Sequence, residues 1–599
     1  MRINFLICAA AVAALLCWTG CEPVQPDIIT PVPGPGTGNG NGEGEGEGEG
    51  ETPQPKPEEQ LDYNHLDAYA PLKSYVNRTV SPDFKLGAAV TVSNYLKKTQ
   101  EYNMAVENFD EMTAGNAMKQ SSVMRADGTM NFNQVRSFLD LAAQSGMTVY
   151  GHTLAWHSQQ QNTYLNNLIA DKRVDLPAEE GVDVVLFESD FNNGQNPFIG
   201  WGNNSTTVVE DGVFKATNPT AANYWEAQFA RDFDPPFTNG QKYVLKFKIR
   251  GSAEGTIRPG FQILDDNYTS AGDFPSVKFG TEWSEAEVSC ECKAAGGTRL
   301  VFSFGEFAGD IYIDDFEFKA VGVQYIYESM SPEEKKAVLT DVMDRWIKGM
   351  MEVTAKDVSA WDAVNESISG NDTDRDGFYE LESGKWGSSN NFYWQDYLGS
   401  EDYVRIVIAK ARQYYAEFGG TKPLCLFIND YNLESDWDDN KKLRSLIHWI
   451  EIWESDGVTK IDGIGSQMHI SYYENPSTQK SKEDHVVKML QLMAGTGKLV
   501  KISELDMGYV DKDGNTLAAS SLSLAQHKAM ADYYEFIIRK YFEIVPPAQQ
   551  YGITQWCPTD SPGALGTGWR GGEPTGLWDQ SYNRKYAYAG FANGLRSVK

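Results

Sequence analysis

The chain is short of cysteine, histidine and positive charge. Its 599 residues hold seven Cys and seven His. Cys8 and Cys17 fall within the first twenty residues and Cys21 follows directly, which leaves Cys290, Cys292, Cys425 and Cys557. Four scattered thiols make no disulfide framework. Cys290 and Cys292 lie two apart in a strand-like run and share one face, a poor geometry for bridging. No CxxC or HExxH pattern occurs, which argues against a zinc enzyme. Lys plus Arg total 52 against 83 Asp plus Glu, a net charge of −31, so neither nucleic acid nor an anionic membrane surface is the expected partner. Beyond the N-terminal segment no run reaches about 20 apolar residues, so no membrane-spanning helix is expected.

Aromatic residues are abundant: 15 Trp, 30 Tyr and 28 Phe. With a hydrophobic fraction of 41%, global disorder is excluded, and the length calls for two or three domains. Spare aromatics serve two ends. They fill large cores, or they offer flat faces to sugar rings.

Residues 1–20 read as a secretion signal, with Arg2 followed by an apolar stretch from Phe5 to Leu16 that is too short to span a bilayer. The segment closes on Trp18-Thr19-Gly20-Cys21, which suits lipoprotein processing with Cys21 lipidated; an ordinary cleaved signal with a stray cysteine is the alternative. Glu22 and Asp27 beside the anchor resemble surface-export signals of Gram-negative lipoproteins. The expected location is therefore the outer-membrane cell surface, with membrane contact only through the N-terminal lipid. Residues 21–60 form a Pro/Gly/Glu tether, whose Glu-Gly alternation through Glu51 offers no apolar group to bury.

From residue 61 the pattern alternates strand and helix. Short apolar runs begin near Phe84, Phe109, Thr148, Ala360, Leu424, Ile461, Leu499 and Tyr551, as strands of a parallel sheet covered on both faces require. Val135, Phe138, Leu139 and Ala142 form one helical stripe, and Val404, Ile408, Ala411 and Tyr415 another. Ser331-Pro332-Glu333-Glu334 is a capping box with proline at the first helical position. Eight such units predict an α/β (β/α)8 TIM barrel. The gap from Thr148 to Ala360 is 212 residues, whereas the others run from 25 to 64. Within it, residues 180–322 alternate apolar and polar side chains between Gly, Asn and Asp turns: Tyr243, Leu245, Phe247 and Ile249 against Val244, Lys246, Lys248 and Arg250. An all-β jelly-roll sandwich is expected there. It interrupts the barrel after the third strand, between a first part at 61–179 and a second at 323–599.

In such barrels the chemistry sits at the C-terminal strand ends. The fourth strand closes in Asn365-Glu366, the seventh in Glu504 with Asp506 just beyond, the third carries His152, Trp156 and His157, the sixth ends Gln467-Met468-His469, and the eighth ends at Trp556. Two carboxylates with indoles and histidines on one rim are what glycoside hydrolysis needs, one to give a proton and the other to attack or to activate water.

These residues lie in the strings FDEMTAGNAMK, GHTLAWHSQ, WDAVNES, FINDYN, GIGSQMH, ISELDMG and TQW followed by GWR. Through them the chain resembles the family 10 glycoside hydrolases, the endo-β-1,4-xylanases, over residues 84–599 without the insert. The resemblance implies that Glu366 is the general acid/base, Glu504 the nucleophile and Asn365 a ligand of the sugar 2-hydroxyl. It implies that His469 bonds Glu504, with Asp506 behind it. Asn116, Lys119, His152 and Trp156 would line the glycone side, Trp556 and Trp569 would wall the cleavage site, and Asn429 and Tyr431 would face the leaving half. Gln467 belongs to the same supporting set. Gly115 departs from the family, which normally has Glu there to grip a sugar one step beyond the cleavage site; Cys557 stands where Gly is usual. The resemblance implies xylan or arabinoxylan as substrate, retention of configuration with carboxyl groups about 5–5.5 Å apart, and no cofactor for catalysis. A non-catalytic glycan-binding lipoprotein and a β-glucanase of related architecture are the alternatives.

The insert resembles carbohydrate-binding modules of the family 4 and 22 type, through DFNNGQNPFIGWGN, YWEAQF and FGEFAGDIYIDDFEF. This implies a xylan-binding cleft, with Trp201, Trp225 and Tyr268 as candidate platforms, and a structural calcium at Glu188, Asp190 and Asp315. Asp372, Asp374, Asp376 and Gly377 match the opening of a calcium loop, but its twelfth position is Ser383. A solvated acidic turn is the favoured reading of that segment.

Overall fold

The computed structural model describes residues 63–176, 181–264, 267–323 and 325–598. The signal, the tether and Cys21 lie outside the described residues. Among those described, residues 170–330 form one compact unit, and those before and after form a second.

The second unit is a closed parallel barrel. Its strands are β1 (Lys85–Val90), β2 (Glu111–Ala114), β3 (Thr148–Ala155), β4 (Ala360–Asn365), β5 (Cys425–Asp430), β6 (Gly463–Ser466), β7 (Leu499–Val510) and β8 (Gln550–Gln555). They pair in the order 6-5-4-3-2-1-8-7, and β6 pairs with β7 to close the ring. The sequence starts are met to within two residues, because strands buried on both faces leave uninterrupted apolar runs. β7 is longer than the rest. Beyond the barrel its Asp506–Val510 half pairs with a short strand, His469–Tyr473, so the sixth-strand rim is extended by regular backbone rather than loop.

Helices cover the barrel with the predicted faces inward. Val135, Phe138, Leu139 and Ala142 of the helix Asn133–Gln144 are buried, as are Val404, Ile408, Ala411 and Tyr415 of Asp402–Glu417. Ser331 caps the helix Pro332–Thr354, its hydroxyl accepting from the Glu334 amide at 3.2 Å while the Glu334 carboxylate accepts from the Ser331 amide at 2.8 Å. Among the described residues no helix is long and apolar enough to cross a membrane.

The first unit is a two-sheet antiparallel sandwich. One sheet contains Lys242–Gly251, Ser284–Glu291 and Gly309–Val323; the facing one contains Thr269–Asp273, Gly255–Ile263, Arg299–Ser303, Gln228–Asp232 and Ile199–Trp201. Tyr243, Leu245, Phe247 and Ile249 point into its core. That core is largely phenyl: Phe229 stacks on Phe302 at 4.8 Å, and Phe198 packs edge-on to Phe229 at 5.3 Å. Much of the aromatic load of this segment is thus spent on packing. The unit extends further than 180–322, because Lys172–Asp175 pairs with Tyr325–Glu328 in a two-stranded ribbon. The ribbon brings the two ends of the segment together, which lets a domain leave and re-enter one loop without pulling β3 from β4. Cys290 and Cys292 are buried free thiols.

Candidate active site

Glu366 stands one residue past β4, with a left-handed backbone (φ +51°) that turns its side chain away from the strand. It is 8% exposed. The Trp156 indole N–H donates to its Oε2 at 3.0 Å, and the Gln467 and Asn365 amides donate to Oε1 at 2.9 and 3.2 Å. Burial, joined by the charges of Asp430 and Glu504, raises its carboxyl above the usual range, against the Gln467 hydrogen bond and Lys442.

Glu504 lies within β7 and is equally hidden, yet its acidity moves the other way. Burial alone would raise it. The hydrogen bond from His469, with the electrostatic pull of neighbours that include His469 and Lys119, outweighs burial and holds it below the usual range. His469 Nε2 is 3.3 Å from Glu504 Oε2, and its Nδ1 is 2.9 Å from Asp506 Oδ2. Burial opposes the charge on this ring, but the two carboxylates carry its pKa up to about 9, so an imidazolium faces Glu504 at neutral pH.

The two glutamates are joined through two asparagines. Asn429 Nδ2 lies 2.9 Å from Glu504 Oε1 and 2.8 Å from Asn365 Oδ1, and Asn365 in turn reaches Glu366. Ser503 Oγ donates to Asn429 Oδ1 and fixes which way that amide faces. The sequence reading placed Asn429 toward the leaving half. It is instead fully buried between the carboxylates, because it is the inward residue on β5 one strand from Asn365.

The remaining predicted residues sit as follows. His152 is buried, its Nδ1 2.8 Å from Asp362 Oδ2. Lys119 Nζ donates to Asn116 Oδ1 at 3.1 Å and stands 4.9 Å over the Trp156 ring; burial lowers its pKa to about 8 against the pull of Glu504 and Glu366. Asn116 is exposed at the rim. Trp556 packs against His152 and His469 with centroids 5.5 and 6.3 Å away, and Trp569 packs against His469 at 4.5 Å. Tyr431 carries the Lys442 ammonium 3.2 Å from its ring centre, and Lys442 is paired with Asp430 at 2.8 Å.

Several contributors escaped the sequence reading. Arg570 donates to Asp506 Oδ1 at 2.7 Å while Trp569 Nε1 donates to Oδ2 at 3.2 Å, so Asp506 is held from both sides. GWR is among the matching strings, but nothing in its spacing ties Arg570 to a residue 64 positions earlier. Asp362, inside WDAVNES, takes both His152 and the Tyr150 hydroxyl, the latter at 2.6 Å. Cys557 brings its Sγ 3.6 Å from Asp506 Oδ2. At Gly115 an added Cβ would meet only the Val90 carbonyl oxygen, at 3.8 Å, so space does not demand the glycine.

In the sandwich, Trp225 and Tyr268 are 53% and 59% exposed, whereas Trp201 is partly buried with the Arg299 guanidinium 5.1 Å over its ring. Tyr224, Arg258 and Glu306 were not anticipated. Tyr224 stands edge-on to Trp225 at 4.9 Å, and Arg258 lies 5.4 Å over Tyr224 while donating to Glu306 Oε2 at 2.6 Å.

Neither calcium candidate carries a ligand set of the expected kind. Glu188, Asp190 and Asp315 do not converge: Asp190 caps its own turn by accepting from the Asn192 amide at 3.1 Å, Asp315 pairs with Lys248 at 2.6 Å, and Glu188 is exposed on its strand. Among the described residues only Asp372, Asp374 and Asp376 bring three carboxylate oxygens within 4.8 Å of one another. There the Lys441 ammonium already meets Asp372 at 2.5 Å, Asp374 and Asp376 accept from amides of their own turn, and Ser383 bonds Asp396.

The family model described as glycosyl hydrolase family 10 matches residues 76–180 and 324–594. The chain belongs to glycosyl hydrolase family 10. The two matched stretches leave out the sandwich. The endo-β-1,4-xylanase Xyn10C of Cellvibrio japonicus is 34% identical over 100 residues, 16% of each chain. The endo-1,4-β-xylanase A of Cellvibrio japonicus (strain Ueda107) is 29% identical over 257 residues, 40% of this chain and 38% of that one. The chain thus spans well under half the length of these curated relatives. The solved structure of native xylanase 10C from Cellvibrio japonicus superposes with a TM-score of 0.50 at 18% identity, covering 89% of this chain and 74% of that one, a likeness of fold.

Proposed function

We propose that the protein is a retaining endo-1,4-β-xylanase acting on xylan and arabinoxylan. One observation carries the reading: two buried glutamates on one rim, joined through Asn365 and Asn429, with acidities displaced in opposite directions. Glu504, ionised, attacks the anomeric carbon as Glu366 passes its proton to the departing glycosidic oxygen. A glycosyl ester on Glu504 results. Glu366, now a carboxylate steadied by Trp156, Gln467 and Asn365, takes a proton from water, which opens the ester and restores both groups. Two inversions give net retention.

The sandwich is read as a xylan-binding module, with Trp225, Tyr268 and the Arg258–Glu306 pair along one sheet. Cys21 is read as the lipidated residue of a cell-surface lipoprotein, which detergent-phase partition lost in Cys21→Ser would support.

Hydrolysis of arabinoxylan beside β-glucan, with the anomer of the first product followed by NMR, tests the activity. The expected result is cleavage of arabinoxylan with β-product; preferential cleavage of β-glucan would favour the related barrel, and binding without cleavage a capture protein. In the same assay Trp225→Ala is expected to lose retention on insoluble xylan several-fold while soluble oligosaccharides turn over as before.

A further inference from the structure

The inside of the barrel is not apolar throughout. Lys501 of β7 and Glu111 of β2 are 1% and 3% exposed, and they meet across the ring, three strands apart, with Nζ 3.4 Å from Oε1. Lys501 Nζ also donates to Thr554 Oγ1 at 3.0 Å, and the Tyr551 hydroxyl donates to Glu111 Oε2 at 3.1 Å. A buried ion pair is a weak source of stability, since apolar side chains of the same volume often do as well or better. Its surroundings point to another use.

From Lys501 a line of contacts leads to the catalytic rim. The ammonium sits 3.8 Å from the centre of the Tyr150 ring. The Tyr150 hydroxyl donates to Asp362 Oδ1 at 2.6 Å, and Asp362 Oδ2 is 2.8 Å from His152 Nδ1. With Nδ1 engaged, only Nε2 of that imidazole remains for a ligand. Tyr150, Asp362 and His152 are all buried, so none can shift without leaving a polar group unpaired. Lys501 also precedes Glu504 on the same strand, and its charge is felt by Asp362 and Glu504 as well as by Glu111. The other titratable groups facing it are neutral. Burial holds the Tyr150 and Tyr551 phenols well above their usual range, and it pushes the Cys425 thiol beside Tyr551 up to about 11. Around Glu504 itself stand His469, His152, Lys119 and Glu366.

We propose that Lys501 is a positioning residue for the reaction: it fixes His152 through Tyr150 and Asp362, and its buried charge steadies the Glu504 carboxylate. The inference rests on the xylanase reading, in which His152 meets the sugar and Glu504 attacks it. The ion pair then has a task. Glu111 opens β2, at the end of the barrel away from the rim, and holds the ammonium charged where no water can. In that dry interior a positive charge acts over a longer distance than it would in solvent.

Lys501→Met is tested on a dinitrophenyl β-xylobioside, whose departure needs no proton, so that the acid limb of kcat/KM reads Glu504. The expected result is a fall of about tenfold at the optimum, from a displaced His152. The acid limb should move up by about half a pH unit, because a positive charge near the carboxylate is gone. Glu111→Gln, nearly isosteric, keeps the ammonium and removes the opposing charge, so its acid limb should move down; it supplies the readout if Lys501→Met does not fold. An acid limb that stays at the wild-type position in Lys501→Met, with or without a loss of rate, would mean that Lys501 only packs the barrel. An unmoved limb in Glu111→Gln would mean the same, and either result overturns the proposal. Wild-type protein that cleaves the matching cellobioside and not the xylobioside would overturn the xylanase reading alone, and the limbs would then be read on the cellobioside.

Discussion

Replacing Glu504 with alanine is expected to lower xylan hydrolysis by on the order of 10⁴-fold or more, since no other group on the rim can form the ester. The loss should be of a particular kind. Added azide can enter the space vacated by the carboxylate, attack the anomeric carbon and give an α-glycosyl azide, with Glu366 still protonating the departing oxygen. The α-anomer is the decisive readout, because a variant that had merely misfolded would give no azide adduct at all. Asn429 and His469 both contact Glu504, so Glu504→Gln should keep the site more nearly intact than alanine and serves as the folding control.

The second large effect is expected at Glu366. Glu366→Ala should slow xylan cleavage by about 10²–10⁴-fold, the range for removing a positioned proton donor. A dinitrophenyl xylobioside, whose leaving group needs no proton, should form the glycosyl-enzyme at a near-normal rate and then stall. Azide should release it as the β-glycosyl azide, opposite in configuration to the Glu504→Ala product. The pH profile separates the two carboxylates further. Activity needs Glu366 protonated and Glu504 ionised. The acid limb should therefore lie below the ordinary glutamate value of about 4.3, and the alkaline limb above it, as the opposite displacements of the two groups require. In Glu366→Ala with the activated substrate the alkaline limb should vanish and the acid limb remain. A profile that kept its alkaline limb would assign that limb to another group of the pair's surroundings, such as Lys119 or His469.

The acidity split arises from neighbours contributed by distant strands. Both glutamates are buried to a similar degree, and desolvation pushes both up. What differs is the charge beside each: an imidazolium held by Asp506 faces Glu504, whereas Glu366 meets neutral donors on its oxygens and a carboxylate, Asp430, beyond. Arg570 and Trp569 stand behind Asp506, so the C-terminal loop after β8 takes part in keeping Glu504 ionised.

The barrel was legible in the chain because each strand carries a nearly unbroken apolar run, and period and run length are local properties. WDAVNES and ISELDMG named the two glutamates for the same reason, their strand ends being fixed by the runs before them. The interrupted third connection was legible as a length. Long-range partnership was not: Asp506 with Arg570, Asp362 with His152, and Asn429 between two carboxylates all depend on which strands stand side by side, and spacing along the chain does not encode that. Nor does it encode that Asp190 and Asp315, which the resemblance groups with Glu188 at one calcium site, are engaged by the Asn192 amide and by Lys248. Sequence by itself thus determined the elements, their order and the placing of two glutamates at strand ends, since these follow from local pattern. Tertiary structure alone decided the charge around that pair, since electrostatics depend on distance through space.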